Sequence, residues 1–380
     1  MTPQPALQCP HRPPCPGCPR FGEAGVAPPL QHLLDELARA HGLPAVSIVS
    51  GDLAGFRLRA RLAIRGRLGT PKIGLFELAT HRVVHIPNCS VQHPLINRVA
   101  NIVRRALVEA RVTSYSDGAH LGVARYLQVV VERDSQTAQV VVVANCATPE
   151  PLAACFELIR ERLGEDLHSL WFNRNLECSN TILGAEFQLV TGQQSVVERF
   201  GGAAVHYPPG AFGQSNLGIA ERIIDYLREL IPQGAQVAEF YAGVGAIGLS
   251  VLARTRGMLM NELNPHSLSG LQMGLAQLSA EERSKIRVIP GPATAALRVG
   301  EPAQVVIVDP PRKGLDPELS AFFAAQPPLR FIYVSCGIES FLEDARVLTA
   351  GGSLRLTSLR GFNLLPFTEH IETVACFDRL

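Results

Sequence analysis

From about residue 215 onwards the chain alternates helix and strand, and this alternation constrains its fold more than any other feature. The helical pattern "NLGIAERIIDYLREL" leads into the apolar run "QVAEFY". Then come helix "GAIGLSVLAR", strand "GMLMNE", helix "HSLSGLQMGLAQL" and strand "KIRVIP". The strands "QVVIVD" and "FIYVS", the helix "SFLEDARVLTA" and the strands "GSLRLTSLRGF" and "HIETVACFDRL" follow. Short apolar runs separated by amphipathic helices predict a doubly wound, Rossmann-like α/β domain over residues 201–380. Ligands of such sheets bind beyond the carboxyl ends of the strands. Residues that close strands, Glu262, Asp309 and Cys336, are therefore candidates for chemistry.

Residues 1–200 read as a separate α+β region. "PLQHLLDELARAHG" is a short amphipathic helix ending at glycine, "LINRVANIVRRALVEA" a second and "PLAACFELIRERL" a third, with Cys155 in its core face. "YLQVVVERDSQTAQVVVVAN" reads as a hairpin of two strands around a polar turn. In "FRLRARLAIRGRLGTPKIGLFE", Arg57, Arg59 and Arg61 alternate with Leu58, Ala60 and Leu62, and Arg65, Arg67 and Lys72 extend the basic stretch. Period two means a strand with one basic and one apolar face. That face is either simply solvated or a contact surface for phosphate, which arginine grips bidentately.

Of 380 residues, 47% are hydrophobic and 18% charged, enough for two or three domains with a sizeable core. The net charge of +1 means that any nucleic-acid binding must come from a local patch. The opening "MTPQPALQCPHRPPC" has no apolar segment of a secretory leader, and no apolar run reaches the roughly 18 residues of a membrane span. The expectation is a cytoplasmic, monomeric protein with no membrane partner. Its nine cysteines are then core, ligand or catalytic residues rather than a disulfide framework.

"VAEFYAGVGAIG" sets Gly243, Gly245 and Gly248 directly after a strand and at a helix start. Such glycines allow a tight turn and close approach of a ligand to backbone N–H groups, and Glu262 closes the next strand, where a carboxylate can accept both ribose hydroxyls. This much suits either a nicotinamide cofactor or S-adenosylmethionine. "QVVIVDPPRKGL" separates the two, because Asp-Pro-Pro at a strand end is typical of methyltransferases. Amino-methylating enzymes carry an aromatic after the prolines to stack on the base, and Arg312 stands there instead.

Together, "GAFGQSN", "EFYAGVG", "VDPPRKGL", "YVSC" and "PFTEHIE", with "RGRLGTPKIGLFE", "VVHIPNCSVQHPLIN" and "SNTILGAEF" upstream, resemble the RNA 5-methyluridine methyltransferase family. Length and opening are most similar to its compact bacterial members acting on large-subunit ribosomal RNA; the N-terminal oligonucleotide-binding barrel of some members is absent. The resemblance implies methylation of uridine C5 from S-adenosylmethionine, with Cys336 as nucleophile at C6 and Glu372 as the base that removes the C5 proton. It implies that Gln214, Tyr241, Glu262 and Asp309 hold S-adenosylmethionine beside the Gly243–Gly245 turn, and that Asp309 and Arg312 orient the uracil. RNA is the implied partner, ribosomal first and transfer RNA second, with the target base out of its stack.

Three positions depart from the family pattern. Gly337 and Ile338 follow the cysteine where the family has Asn, Asn363 with Leu364 and Leu365 stands where an aspartate opens the "PFTEHIE" segment, and Pro292 lies where an acidic residue near the adenine is usual. They motivate two alternatives: an RNA-binding paralogue without turnover, and methylation at another nucleobase position.

"CPHRPPCPGC" spaces Cys9, Cys15 and Cys18 as C-x5-C-x2-C, and by resemblance Cys89 in "IPNCSV" is the fourth member. Four thiolates suit a 4Fe-4S iron–sulfur cluster, as in the family's cluster-bearing members, or zinc. The spacing is not that of radical enzymes. Cys146, Cys178 and Cys376 show no partner pattern and read as core residues.

Overall fold

The strands read beyond residue 230 join one eight-stranded sheet. Its order is Ile48–Val49, Leu354–Phe362, Glu372–Arg379, Arg330–Ser335, Val305–Val308, Ala235–Phe240, Thr255–Glu262, Ile286–Pro290. Glu372–Arg379 runs antiparallel to both neighbours; the ladders from Arg330–Ser335 to Ile286–Pro290 are parallel. The structure, a computed structural model, describes residues 7–23, 25–297, 299 and 302–380. Residues 1–6, part of the opening read as lacking a leader, lie outside the described residues. Among the described residues no helix is long and apolar enough to cross a membrane.

The central run is apolar because it is covered on both faces. Val305, Val306, Ile307 and Val308 are all at most 2% exposed, and Phe323, Phe331, Tyr333, Phe341 and Phe377 close the core on one side. Phe323 meets Phe240, Phe322 and Phe331 with ring centroids 5.2–5.6 Å apart. Burying each such side chain contributes about 1.5–3 kcal/mol. The chain leaves strand Ala235–Phe240 towards one side of the sheet and resumes at Val305 on its other side, and a crevice at the strand ends follows from this reversal.

A second sheet has seven strands: Val83–His85, Thr70–Phe76, Arg59–Arg67, Ala124–Val131, Ala138–Ala144, Leu167–Arg174 and Glu186–Gly192. Only the Ala138–Ala144 and Leu167–Arg174 pair is parallel, and helix Ala153–Leu163 makes that crossover. Helix Pro94–Glu109 buries Leu95, Ile96, Val99, Ala100, Val103, Ala106 and Leu107, a helical stripe, against strands Thr70–Phe76, Ala124–Val131 and Ala138–Ala144. His93 caps it by accepting from the Leu95 N–H, and proline fills the first turn.

The chain forms two compact units. One holds the described residues of Met1–Gly22 with Asp52–Glu198 and Tyr207–Leu217; the other holds Glu23–Gly51, Arg199–His206 and Gly218–Leu380. This differs from a single cut at residue 200. Helix Pro28–Ala40 belongs to the second unit because Leu34 and Ala38 enter its core, and Ile48–Val49 because it pairs with Gly361 and Phe362 at the sheet edge. The sequence reading also places no element between 167 and 207, where four strands occur: Leu167–Arg174, Glu186–Gly192, Val196–Phe200 and Ala203–Tyr207.

The arginine face is solvated only in part: Arg61, Arg67 and Lys72 are exposed, whereas Arg59 and Arg65 are taken up by other side chains. Arg59 lies over the Tyr207 ring at 4.4 Å, and burial lowers its pKa to about 10. Arg61 Nε donates to Gln128 Oε1 (2.8 Å). Arg65 is buried, forks onto both Asp117 oxygens at 2.7 Å, and lies 5.0–5.2 Å from the Phe76, Tyr115 and Tyr126 rings. Of the cysteines read as core, Cys155 and Cys376 are buried, Cys146 is partly exposed and Cys178 is exposed on a loop.

Candidate active site

Strand Ala235–Phe240 ends in a left-handed turn: Tyr241, Gly243 and Gly245 have φ of 60°, 60° and 82°. Glycine takes that conformation at little cost, whereas Tyr241 is held there. Its hydroxyl donates to Asp316 Oδ2 (3.1 Å) and accepts from the Asp316 N–H (3.4 Å). Glu262, at the end of the neighbouring strand, accepts the Gly243 N–H with Oε2 (2.7 Å) and the Leu263 and Asn264 N–H groups with Oε1 (2.8 and 2.5 Å). The structure thus brings Tyr241, Gly243, Gly245 and Glu262 together around one turn.

Gly248 serves a different end. A Cβ there would stand 2.3 Å from Glu239 Oε2 and 2.7 Å from Met260 Cε. Its missing side chain makes room for a buried carboxyl rather than for a ligand. Glu239 is 1% exposed, its Oε2 has no hydrogen-bond partner among the described residues, and burial followed by the nearness of Asp309 raises its pKa well above the carboxylate range. The sequence reading missed Glu239; the signal was a carboxylate one residue before the end of the strand that feeds the glycine turn.

Cys336 follows Ser335, the end of strand Arg330–Ser335. Ser335 is paired with Thr373 on the antiparallel strand Glu372–Arg379. Continuing that ladder by one residue sets Cys336 opposite Glu372. Glu372 is 8% exposed, so it is not the surface carboxylate that its place in the sequence would suggest. Burial first, then the Asp309 charge, raises its pKa to about 8, against the opposing pull of Arg312. Burial likewise raises Asp309 to about 7. The Cys336 thiol rises to about 11 through burial, Glu372 and Asp309, with Arg312 acting in the other direction. Cys336, Glu372, Asp309 and Arg312 form one electrostatic group. Arg312 also lies 3.4 Å, Nη2 to Nε2, from His370.

The loop that carries Arg312 is tied to the helix after the cysteine, Ile338–Thr349. Ser340 Oγ donates to the Arg312 carbonyl (2.8 Å) and Asp344 Oδ2 accepts from the Leu315 N–H (2.9 Å) and the Tyr333 hydroxyl (2.7 Å). Ser340 and Asp344 are four apart and share a helix face. A Cβ on Gly337 would stand 2.7 Å from the Arg312 carbonyl oxygen, and Ser335 Oγ bonds both the Gly337 N–H and carbonyl (3.2 and 3.1 Å). The Gly337 departure is thus built into the contact between the two loops. Asn363 is buried, its N–H bonded to the Val49 carbonyl (2.8 Å). Pro292 precedes the short helix Ala293–Ala296, and Asn261 Nδ2 donates to the Ile289 and Gly291 carbonyls beside it (2.9 and 3.0 Å).

Gln214 lies half-buried in the stretch Tyr207–Leu217, which belongs to the other unit. That unit also holds Cys9, Cys15, Cys18 and Cys89, all unpaired and partly exposed. Cys18 feels the charges of Cys89, Cys15 and Cys9, and Cys15 those of Cys89 and Cys9; burial, then those charges, raises Cys18 to about 11. Among the described residues, no group of three or more His, Cys, Asp or Glu side chains is drawn together as one metal ion would require.

The sheet order, the glycine turn after its central strand and the acid closing the next strand define a Rossmann-like methyltransferase fold. A crystal structure of Pyrococcus abyssi tRNA (uracil-54, C5)-methyltransferase in complex with S-adenosyl-L-homocysteine matches that fold with a TM-score of 0.74 at 22% identity, over 92% of this chain and 82% of that one. An uncharacterised RNA methyltransferase of Protochlamydia amoebophila is 36% identical over 98% of both chains. Another, of Geobacter sulfurreducens, is 26% identical over 84% of this chain, which spans 65% of that relative. The family model described as tRNA (Uracil-5-)-methyltransferase matches residues 189–379, half of the chain. The chain belongs to this family of S-adenosylmethionine-dependent RNA methyltransferases.

Proposed function

We propose that the protein methylates C5 of a uridine in RNA through a transient bond between Cys336 Sγ and C6 of the base. The observation that supports this most is the convergence of Cys336, Glu372, Asp309 and Arg312 at the ends of adjacent strands. C5 of uridine is too poor a nucleophile to take a methyl group unaided. The thiol first gives up its proton to solvent; attack of the resulting thiolate at C6 makes C5 enolate-like, and S-adenosylmethionine supplies the methyl group to that carbon, leaving S-adenosylhomocysteine. Glu372 then accepts the C5 proton, the C5–C6 double bond re-forms and Cys336 leaves as thiolate. Arg312 offsets the charge on the thiolate and on the uracil carbonyl beside it. Tyr241, Glu262 and Asp309 would hold the cofactor at the Gly243–Gly245 turn.

The fitted contact between Gly337 and the Arg312 carbonyl supports an active enzyme over a paralogue without turnover. By its resemblance to compact bacterial members, the RNA is ribosomal. The four cysteines Cys9, Cys15, Cys18 and Cys89 would ligate a 4Fe-4S cluster. Their donor type and number suit it, and the buried, unpartnered Arg57 Nε beside them suits an anionic centre.

The test is trapping. The protein is incubated with S-adenosylmethionine and 5-fluorouridine-substituted ribosomal or transfer RNA. Fluorine at C5 cannot leave as a proton, so a denaturation-resistant complex is expected with ribosomal RNA and not with Cys336→Ala. Adduct formation only with transfer RNA would reassign the substrate. RNA binding with no adduct in either pool would refute the covalent mechanism.

A further inference from the structure

The loops that carry the four cysteines are held by more than their thiols. Asn97 brackets Cys89, accepting its N–H (3.1 Å) and donating to its carbonyl (3.0 Å), and Asn101 Nδ2 donates to the Pro87 carbonyl (3.1 Å). The N-terminal loop is sewn to the same turn: the Asn88 N–H donates to His11 Nε2 (3.2 Å) and Ser90 Oγ to the Gln8 carbonyl (2.6 Å). Arg12 donates to the carbonyls of Cys18 (2.8 Å) and Pro19 (2.5 Å). A Cβ on Gly17 would lie 3.6 Å from Cys15 Sγ.

Arg57 enters this assembly from the start of the arginine strand. Its N–H donates to the Val91 carbonyl and its own carbonyl accepts from the His93 N–H, both at 2.9 Å, so its backbone is bridged to the segment two residues beyond Cys89. Its Nε is shut off from solvent and has no hydrogen-bond partner among the described residues. The acidic groups that the guanidinium interacts with are Cys18 and Cys89. A buried guanidinium N–H is costly when it faces nothing that accepts it, and a neutral thiol accepts weakly. Metal ligation removes the thiol protons and turns the same sulfurs into strong acceptors. An orphaned donor beside two candidate ligand cysteines is therefore the arrangement to expect if that donor's partner is a ligated sulfur.

We propose that Arg57 is a positioning residue for an iron–sulfur centre: its buried Nε–H donates to a sulfur on the Cys18–Cys89 side, and its charge offsets that of the thiolates. The inference rests on the cluster reading given above. A fixed positive charge and an N–H bond to sulfur both favour the more negative, reduced state of a cluster, so Arg57 raises its reduction potential. The same contact slows the loss of iron.

The experiment uses the full chain purified without oxygen, as wild type, Arg57→Lys and Arg57→Gln. Iron and sulfide content, the rate of iron release to a chelator and the potential by dye-mediated titration are measured on each. Release from Arg57→Gln is expected to be about 10-fold faster or more, in the range of lost outer-shell contacts to metal ligands. Its potential should shift to a more negative value, with Arg57→Lys between the two. Pulsed electron paramagnetic resonance of the reduced wild type, labelled with 15N-arginine, should show a weak nitrogen coupling that Arg57→Lys lacks. Equal release rates and potentials in wild type and Arg57→Gln, or no arginine coupling, would overturn the role of Arg57 and leave the cluster standing. If Arg57→Gln does not fold, the labelled wild type and Arg57→Lys decide the matter. Wild type that takes up no iron and sulfide on anaerobic reconstitution, or holds only zinc, refutes the cluster reading itself and the inference with it.

Discussion

Cys336 directly follows Ser335, and Glu372 directly precedes Thr373, the residue paired with Ser335 on an antiparallel ladder, so the thiol and the carboxyl lie in each other's field. Thirty-five residues intervene in the sequence, and strand pairing removes that separation. The proposed nucleophile and the proposed base are thereby tied to the same two strands.

Glu372→Gln keeps the shape and removes the base. Sγ attack and methyl transfer remain possible in this variant, but proton removal does not. Turnover is expected to fall about 10²–10⁴-fold, the range for loss of a general base, while a covalent protein–RNA complex carrying the methyl group accumulates on ordinary RNA. Gel electrophoresis under denaturing conditions followed by nucleoside mass spectrometry reads it. Loss of turnover without accumulation would remove Glu372 from the release step.

The raised carboxyls make stability pH-dependent. Glu372 at about 8 and Asp309 at about 7 lie above their unfolded values of 4.5 and 3.8, so the folded chain binds more protons than the unfolded one between those limits. The stability from their protonated forms is fully present below pH 4 and is lost as pH rises through 7 and 8. Wild type and Glu372→Gln should therefore melt together at pH 5. By pH 8.5 the variant should be the more stable, by about 2–4 °C for each 1 kcal/mol of relief. Melting curves that stay parallel from pH 5 to 8.5 would show that Glu372 titrates normally.

A cationic ligand should pull protons out of this group. S-adenosylmethionine carries a sulfonium that S-adenosylhomocysteine lacks, and a positive charge beside Asp309, Glu372 and Cys336 lowers all three pKa values. At pH 7.5, binding of S-adenosylmethionine is expected to release a substantial fraction of a proton, and S-adenosylhomocysteine less. Calorimetry in two buffers of different ionisation enthalpy measures the difference. Equal release with both ligands would place the sulfonium away from the carboxyls.

Gly337→Ala puts a methyl group 2.7 Å from the Arg312 carbonyl oxygen. Backbone must move to admit it, at a cost of about 1–3 kcal/mol, the range for overpacking. Because the displaced loop carries Arg312, kcat should fall further than the melting temperature suggests. Ser340→Ala removes the Oγ bonds to the Arg312 and Gly337 carbonyls, about 1 kcal/mol for the shared proton, and should reproduce a milder form of the same defect. Full activity in Gly337→Ala would mean that the two loops move independently of the chemistry.

The eight-stranded sheet was legible because its central strands, Ala235–Phe240, Thr255–Glu262, Val305–Val308 and Arg330–Ser335, alternate with helices and are largely apolar on both faces. The glycine turn, Glu262, Asp309 and Cys336 inherit that clarity as strand-end residues. Glu372 did not, since only the ladder register reveals that it is buried. The arginine strand was ambiguous for the same reason. The partners of Arg59, Arg61 and Arg65 are Tyr207, Gln128 and Asp117, between 52 and 148 residues away. Glu186–Gly192 was missed although its burial alternates, because a sheet-edge strand has an exposed residue at every second place. Cys178 was misread because a thiol on a loop carries no local sign of its exposure.

Strand Glu372–Arg379 is the last of the eight in chain order, yet it is inserted between Arg330–Ser335 and Leu354–Phe362, both made earlier. A chain still being synthesised that has emerged only as far as Phe362 carries Cys336, but no finished sheet to hold the thiol in place. The proposed nucleophile therefore stands in a finished sheet only once the strand that carries the proposed base has joined it.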